Sequence, residues 1–338
     1  MLNILLVVPF SSEASGLMEF YRRAFSSLGH QVQLISIFEK FALKDRLRNY
    51  MARIGNRGLQ TDWDGETLIE EAKRFHPDLT IICRGERLRP EPIRCLRELS
   101  SLGCINIYPD SPLVVPGAGI AALLPSLAEY TCVYTFSRSL IPVFEQLGAR
   151  RVRWLPFGFD PVVHSGCRPL DPSFSSHVAY LGAWGTLQEA WLEPLAPLGL
   201  SIYGPGWRHA KRDGQVYAAW KKGRGMGAEM SAAISGAEIV FNLVRAEHGC
   251  AHSMKTFEIP ACGGFMLTNW TEEQAEFFED GKQCVFFHTR EEMLEKATYY
   301  ASHAVERLKI AAAGQAVAFE HSYTQRAAQI LSDCDVRL

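Results

Sequence analysis

Residues 253–268 read SMKTFEIPACGGFMLT. A short polar lead enters an apolar run of helical character that carries one carboxylate, Glu258. Cys262-Gly263-Gly264 cuts that run, and Phe265-Met266-Leu267-Thr268 then reads as a strand. A lone carboxylate on an apolar helix needs a polar partner, because an isolated charge is costly to bury. Two readings meet that need. Glu258 is a helix-terminus residue satisfied locally, or it is a ligand contact at a helix–strand crevice of an α/β sheet. The pattern on either side favours the ligand contact.

Working outward, strand-like and helical runs alternate almost throughout. Residues 3–9, 31–37, 78–83 and 104–108 read as strands, with helical spacing over 16–28, 64–75 and 90–102. After a stretch rich in proline and polar residues, 160–176, the period restarts. Strands are expected at 177–181, 200–203, 237–242, 265–268 and 284–288, with helices over 184–198, 229–235 and the Glu258 run. Such alternation implies βαβ units and mostly parallel sheets. A chain of 338 residues exceeds the size at which one core usually stops growing, so two domains are expected. The expected division is 1–165, 166–318 and a last segment, 319–338, returning to the first domain. Ala327, Ala328, Ile330 and Leu331 give that segment one buryable face.

Composition excludes several classes. Hydrophobic residues make up 47% and charged residues 21%, as in ordinary globular proteins. A formal net charge of −2 gives no reason to expect nucleic acid as a partner. The start, MLNILLVVPF, reads as a first buried strand rather than a signal peptide. No apolar run approaches the roughly 18 residues of a membrane span. The nine cysteines are scattered without a C-x-x-C and are expected as reduced thiols of a cytoplasmic protein. Residues 40–60 are basic and amphipathic. They read as a solvated surface helix, or as a peripheral contact with an acidic acceptor or membrane lipid.

An ordered set of strings carries a family resemblance: INIYPDSP (105–112), LPFGFDP (155–161), HVAYLGAWG (177–185), SIYGPGW (201–207), AEIVFNLVR (237–245), KTFEIPACGGFMLT (255–268), FFEDGKQCVFF (277–287) and HSYTQRAAQIL (321–331). In this order they resemble the CgeB-like, or spore-maturation-like, branch of GT-B glycosyltransferases, relatives of glycosyltransferase family 4. The resemblance covers residues 75–332 well and the first 75 only loosely. It implies two Rossmann-like doubly wound domains facing a central cleft. It also implies transfer of a sugar from a UDP-, GDP- or dTDP-linked donor to an acceptor, with retention expected. The donor is a substrate, and no separate cofactor is expected. The acceptor stays open among glycan, protein, lipid and modified nucleic acid, and a homodimer is compatible with the reading. Two other functions remain: a sugar-nucleotide epimerase and a non-catalytic sugar-nucleotide-binding protein.

The resemblance assigns Glu258 to the ribose hydroxyls. The first acid of the related E-x7-E pair falls on Cys250, so His248, His252 or Glu247 is left to meet the donor sugar. Lys255, one helical turn before Glu258, reads as a diphosphate contact, because a cation in a first helical turn is disfavoured unless an anion is near. Ser253, Thr256 and the amides of 253–256 are the expected phosphate cradle. Asn242 and Arg245 follow a strand at its carboxyl end, where ligands gather, although a strand-terminating turn explains them equally well. Gly182 and Gly204 belong to the expected donor set. The run after Gly185, Thr186-Leu187-Gln188-Glu189, lacks the cation many relatives carry.

In the first half, Ser15 and Gly16 close a loop, 11–16, that faces a ligand by position. The loop lacks G-x-G-x-x-G, which argues against a dinucleotide oxidoreductase. Asp110, between two prolines at a strand end, and His252 are the catalytic candidates. Asp110 also fits a turn-forming role. Asp62-Trp63-Asp64 suits helix capping better than metal binding, and Gly249 interrupts His248-x3-His252, so no metal is expected.

Overall fold

The computed structural model describes residues 1–8, 16–36, 65–86, 88–112, 119–164, 172–222, 227–245 and 248–334. Ser15, Glu247, residues 40–60 and the Asp62-Trp63-Asp64 run lie outside the described residues. The chain divides into two compact units, Met1–Pro156 with Arg326–Leu338, and Phe157–Gln325.

The first unit holds β1 (Asn3–Val8), β2 (Gln31–Ser36), β3 (Leu79–Cys83), β4 (Cys104–Tyr108), β5 (Cys132–Thr135) and β6 (Val152–Trp154). They form one parallel sheet in the order β2-β1-β3-β4-β5-β6. The second unit holds β7 (Ser176–Leu181), β8 (Leu200–Tyr203), β9 (Ala237–Asn242), β10 (Met266–Asn269) and β11 (Val285–Phe287). Their parallel order is β11-β10-β9-β7-β8. Strands such as β3 and β4 are buried at every position, as helix-covered parallel sheets require, so they read as unbroken apolar runs. The second core gathers Tyr180, Trp207, Phe241, Leu267 and Phe287 around its sheet.

Strand order decides where ligands gather. In each sheet the chain runs outward to one side and then returns to the other. The switch falls between β1 and β3 in the first sheet and between β7 and β9 in the second. The carboxyl ends of those strands open the crevices where doubly wound sheets bind ligands. Arg84, Gly85 and Glu86 follow β3. Residues 182–185 follow β7, and residues 243–254 follow β9.

The expected boundary at 165 is corrected to Pro156. Residues 157–164 are tied into the second unit. The Phe159 N–H donates to the His321 carbonyl at 3.1 Å, and the Tyr323 N–H donates to the Phe159 carbonyl at 2.9 Å. Asp160 then caps a short helix, Pro161–His164, its Oδ1 accepting from the Val162 and Val163 amides at 2.9 and 2.8 Å. The expected helix over 184–198 is also corrected. It is α-helical over Thr186–Leu192 and 3-10 over Glu193–Leu198, because Pro194 and Pro197 have no N–H for i→i−4 bonding. The last helix, Tyr323–Asp333, buries Ala327, Ile330 and Leu331 completely. Its Gln329 side chain donates to the Trp154 carbonyl at 2.9 Å, and Asp333 accepts from the Tyr134 hydroxyl at 3.0 Å.

Candidate functional site

The opening motif folds as a seven-residue helix, Lys255–Ala261, with residues 256–261 all buried. It ends on a paired-glycine stop. The Gly263 N–H bonds the Pro260 carbonyl at 2.8 Å and the Gly264 N–H bonds the Ile259 carbonyl at 3.0 Å, with Gly263 at φ 77°. A Cβ on Gly264 would lie 2.7 Å from Ile234 Cγ2, so the second glycine serves close packing.

Glu258 is 1% exposed and therefore does not face open solvent. Its Oε2 accepts from Lys255 Nζ at 2.6 Å, and Lys255 itself is 24% exposed. The anion that makes a first-turn lysine tolerable is thus supplied by the protein. Glu258 Oε1 lies 3.8 Å from Nε2 of His164, a fully buried residue that carried no expectation from the sequence. His164 Nδ1 accepts the Asp160 N–H at 3.0 Å. The signal for it was present: Asp160-Pro161-x-x-His164 spells a cap, a first-turn proline and a side chain one turn on. The carboxylate therefore sits between a partly exposed cation and a buried imidazole.

Two of the amides expected to cradle phosphate have partners inside the chain. The Ser253 N–H already donates to Thr256 Oγ1 at 3.1 Å, and the Thr256 N–H to the Ser253 carbonyl at 3.1 Å. Asn242 and Thr256 meet in a buried polar network. Asn242 Nδ2 donates to Thr268 Oγ1 at 3.0 Å, Thr256 Oγ1 to Gln274 Oε1 at 3.0 Å, and Gln274 Nε2 to the Asn269 carbonyl at 2.8 Å. This network clamps the start of the Lys255–Ala261 helix onto the ends of β9 and β10, and Ser253 Oγ approaches Asn242 Oδ1 at 3.5 Å.

His252, the other catalytic candidate, is enclosed by the protein. It is fully buried. Its Nε2 accepts the Phe157 N–H at 3.0 Å, so Nδ1 carries the proton toward Glu273 Oε2 at 2.7 Å. Phe157, Phe257 and Phe277 pack edge-on around the ring. Both nitrogens are engaged within the protein.

Gly182 and Gly204 are brought together by the loops after β7 and β8. The Gly182 N–H bonds the Tyr203 carbonyl at 2.9 Å, and Trp207 Nε1 donates to the Gly182 carbonyl at 2.8 Å. A Cβ on Gly204 would lie 2.4 Å from that same carbonyl oxygen, and its φ of 129° is in the region other residues avoid. Tyr180 stands beside Gly182, and burial pushes its hydroxyl pKa up to about 12, opposed by the charge of Arg245. Arg245, beyond β9, is near enough to Tyr180 for its charge to act on that hydroxyl.

In the first unit, Gly16 begins the Gly16–Ser27 helix and is exposed. Asp110 is 41% exposed and pairs with Arg84 Nη1 at 3.3 Å. Arg84 Nε also donates to Glu86 Oε1 at 3.0 Å, which accepts the Tyr108 hydroxyl at 2.8 Å. Burial would lower the Arg84 pKa, but Glu86 and Asp110 outweigh it and hold it above the usual value. Arg84 adopts φ 64°, and strained backbone of this kind gathers at functional sites. Among the described residues, no three His, Cys, Asp or Glu side chains converge as metal ligands would. No described helix is long and apolar enough to cross a membrane.

Residues 186–332 match the family described as glycosyl transferase-like. The chain has the GT-B fold. HepE of Anabaena, solved with UDP-glucose, is 14% identical at a TM-score of 0.63, over 98% of this chain and 100% of that one. A glycosyltransferase from Rickettsia africae gives 0.64 at 11% identity, and sucrose-phosphate synthase from Thermosynechococcus elongatus 0.63 at 9%, each over 98% of both chains. No curated protein sequence matches the chain significantly. The glycosyl transferase-like region contains Lys255, Glu258, Gly204 and Arg245, and begins just after Gly182 and Gly185.

Proposed function

We propose that this chain is a glycosyltransferase that takes a nucleoside-diphosphate sugar as donor and moves the sugar, with retention, to a hydroxyl-bearing acceptor. The observation that carries the reading is the Lys255–Glu258 pair at the mouth of the helix that follows β9. One partly exposed cation and one buried carboxylate, a helical turn apart, match the two ends of a nucleoside diphosphate. Phosphate takes the lysine, and the ribose diol donates to the carboxylate. UDP and UDP-glucose bind HepE, a protein of the same fold, which makes uridine the first base to try.

Asn242, Thr256 and Ser253 position the helix, while Gly182 and Gly204 let the loops after β7 and β8 approach each other closely. Arg245 adds charge near the glycine loop, where a leaving diphosphate needs stabilisation as the glycosidic bond breaks. Asp110, Arg84 and Glu86 offer acceptor-side hydrogen bonding in the first unit. Gly16 and Ser15, by position in the chain, belong to the proposed donor set.

The test is a thermal-shift screen of UDP-, GDP- and dTDP-sugars, followed by assay of nucleotide release with an acceptor panel. A donor at 100 times its Kd raises stability by about 2.7 kcal/mol, which such a screen resolves. Binding with acceptor-dependent release supports transfer. Change of the sugar without acceptor makes the protein an epimerase, and binding without any turnover makes it a carrier.

A further inference from the structure

We infer that His164 is a positioning residue that takes over Glu258 when Lys255 turns to the donor's diphosphate, an inference that rests on the donor reading above. Glu258 is 1% exposed, with Lys255 Nζ 2.6 Å from one carboxylate oxygen and His164 Nε2 3.8 Å from the other. A buried carboxylate that loses its cation is costly unless another donor closes on it. Phosphate competes for Lys255 because it offers the same ammonium a second anion at the partly exposed side.

His164 is built for the exchange. Its Nδ1 accepts the Asp160 N–H at 3.0 Å, which fixes the ring proton on Nε2, the nitrogen that faces Glu258 Oε1. The ring is held in place from both sides of the Pro161–His164 turn. Asp160 Oδ1 caps it, and Ser231 Oγ donates to the Val163 carbonyl. The present 3.8 Å is longer than a hydrogen bond, as expected while Lys255 still holds the other oxygen. One carboxylate oxygen is then kept by His164 while the ribose hydroxyls approach the group from the side Lys255 has vacated.

Two substitutions separate this role from a structural one. The Asn Oδ1 reproduces the Nδ1 acceptor, and the Gln amide nitrogen reproduces the Nε2 donor. Wild type, His164→Asn and His164→Gln are titrated with UDP, GDP, ADP and the matching nucleosides by calorimetry, with melting temperatures recorded. For whichever diphosphate binds wild type, His164→Gln should stay within about threefold in Kd, and His164→Asn should weaken by about tenfold or more. The loss should be smaller for the free nucleoside, which leaves Lys255 in place. It should vanish in a Glu258→Gln background. If His164→Asn binds normally and His164→Gln does not, the residue is a strut for the 160–164 turn and the inference falls. It falls equally if both variants lose affinity alike, if neither does, or if the loss persists with Glu258→Gln. If wild type binds none of the three diphosphates, the donor reading itself fails, a result distinct from these.

Discussion

Lys255 and Glu258 neutralise each other, so replacing either one tests both stability and binding. Lys255→Ala leaves a carboxylate that is 1% exposed without its cation, and should cost about 1–3 kcal/mol after allowance for the lysine's partial exposure. The double variant Lys255→Ala/Glu258→Gln should be more stable than Lys255→Ala alone, because the stranded charge is gone. Urea unfolding of the four proteins checks this, and simple additivity would mean that the pair contributes nothing. Glu258→Gln should retain the fold but lose about 2–4 kcal/mol of donor binding, roughly 30- to 1,000-fold, measured as Kd or kcat/KM. His252 should behave differently. His252→Ala empties an aromatic cage and strands both the Glu273 carboxylate and the Phe157 N–H, at about 3–5 kcal/mol of stability. Turnover per folded molecule should stay within about threefold in the cold. A large loss of turnover with unchanged unfolding would return His252 to the catalytic list.

At the scale of elements, the loops after β7 and β8 depend on glycine for contact as well as for backbone freedom. Gly204 sits at φ 129°, with a Cβ placed 2.4 Å from the Gly182 carbonyl oxygen. Gly148 sits at φ 97° with nothing within 4 Å of a Cβ. Gly148→Ala should therefore incur only backbone strain, about 1–2 kcal/mol. Gly204→Ala should cost more, about 3 kcal/mol or beyond, because two loops must separate. Donor affinity should drop with Gly204→Ala and hold with Gly148→Ala. Equal melting temperatures for the two variants would show that the loops yield freely.

At the scale of the molecule, the last helix belongs to both units, residues 323–325 to the second and residues from Arg326 onward to the first. Removing residues 326–338 withdraws Ile330 and Leu331, both fully buried, each contributing about 1.5–3 kcal/mol of burial. It also frees Tyr134, Arg153 and the Trp154 carbonyl from their partners on Asp333 and Gln329. Hydrogen exchange should show protection falling in β5 and β6 while β7 to β11 keep theirs. Uniform loss across both sheets would mean that the two units unfold as one.

Much of the fold was legible because it rests on local rules. Unbroken apolar runs mark strands covered on both faces, and glycine pairs and prolines mark where helices stop. β5 and β6, four and three residues long, are too short for a periodic signal and went unread. Within the site, Glu258 and Lys255 were identified because a carboxylate and a cation are conspicuous on an apolar helix. What they touch was not. Their pairing is local, one helical turn apart, but the burial of Glu258 and the approach of His164 from 94 residues away in the chain are encoded by no local pattern. His252 shows the same limit: beside a polar turn it resembles a catalytic base. Only packing against Phe157, Phe257, Phe277 and Glu273 decides that both its nitrogens are engaged inside the protein. Sequence by itself determined which segments become strands and helices, because propensity and periodicity act over a few residues. Tertiary structure alone decided which polar groups are left to a ligand, because that depends on which distant side chains reach them first.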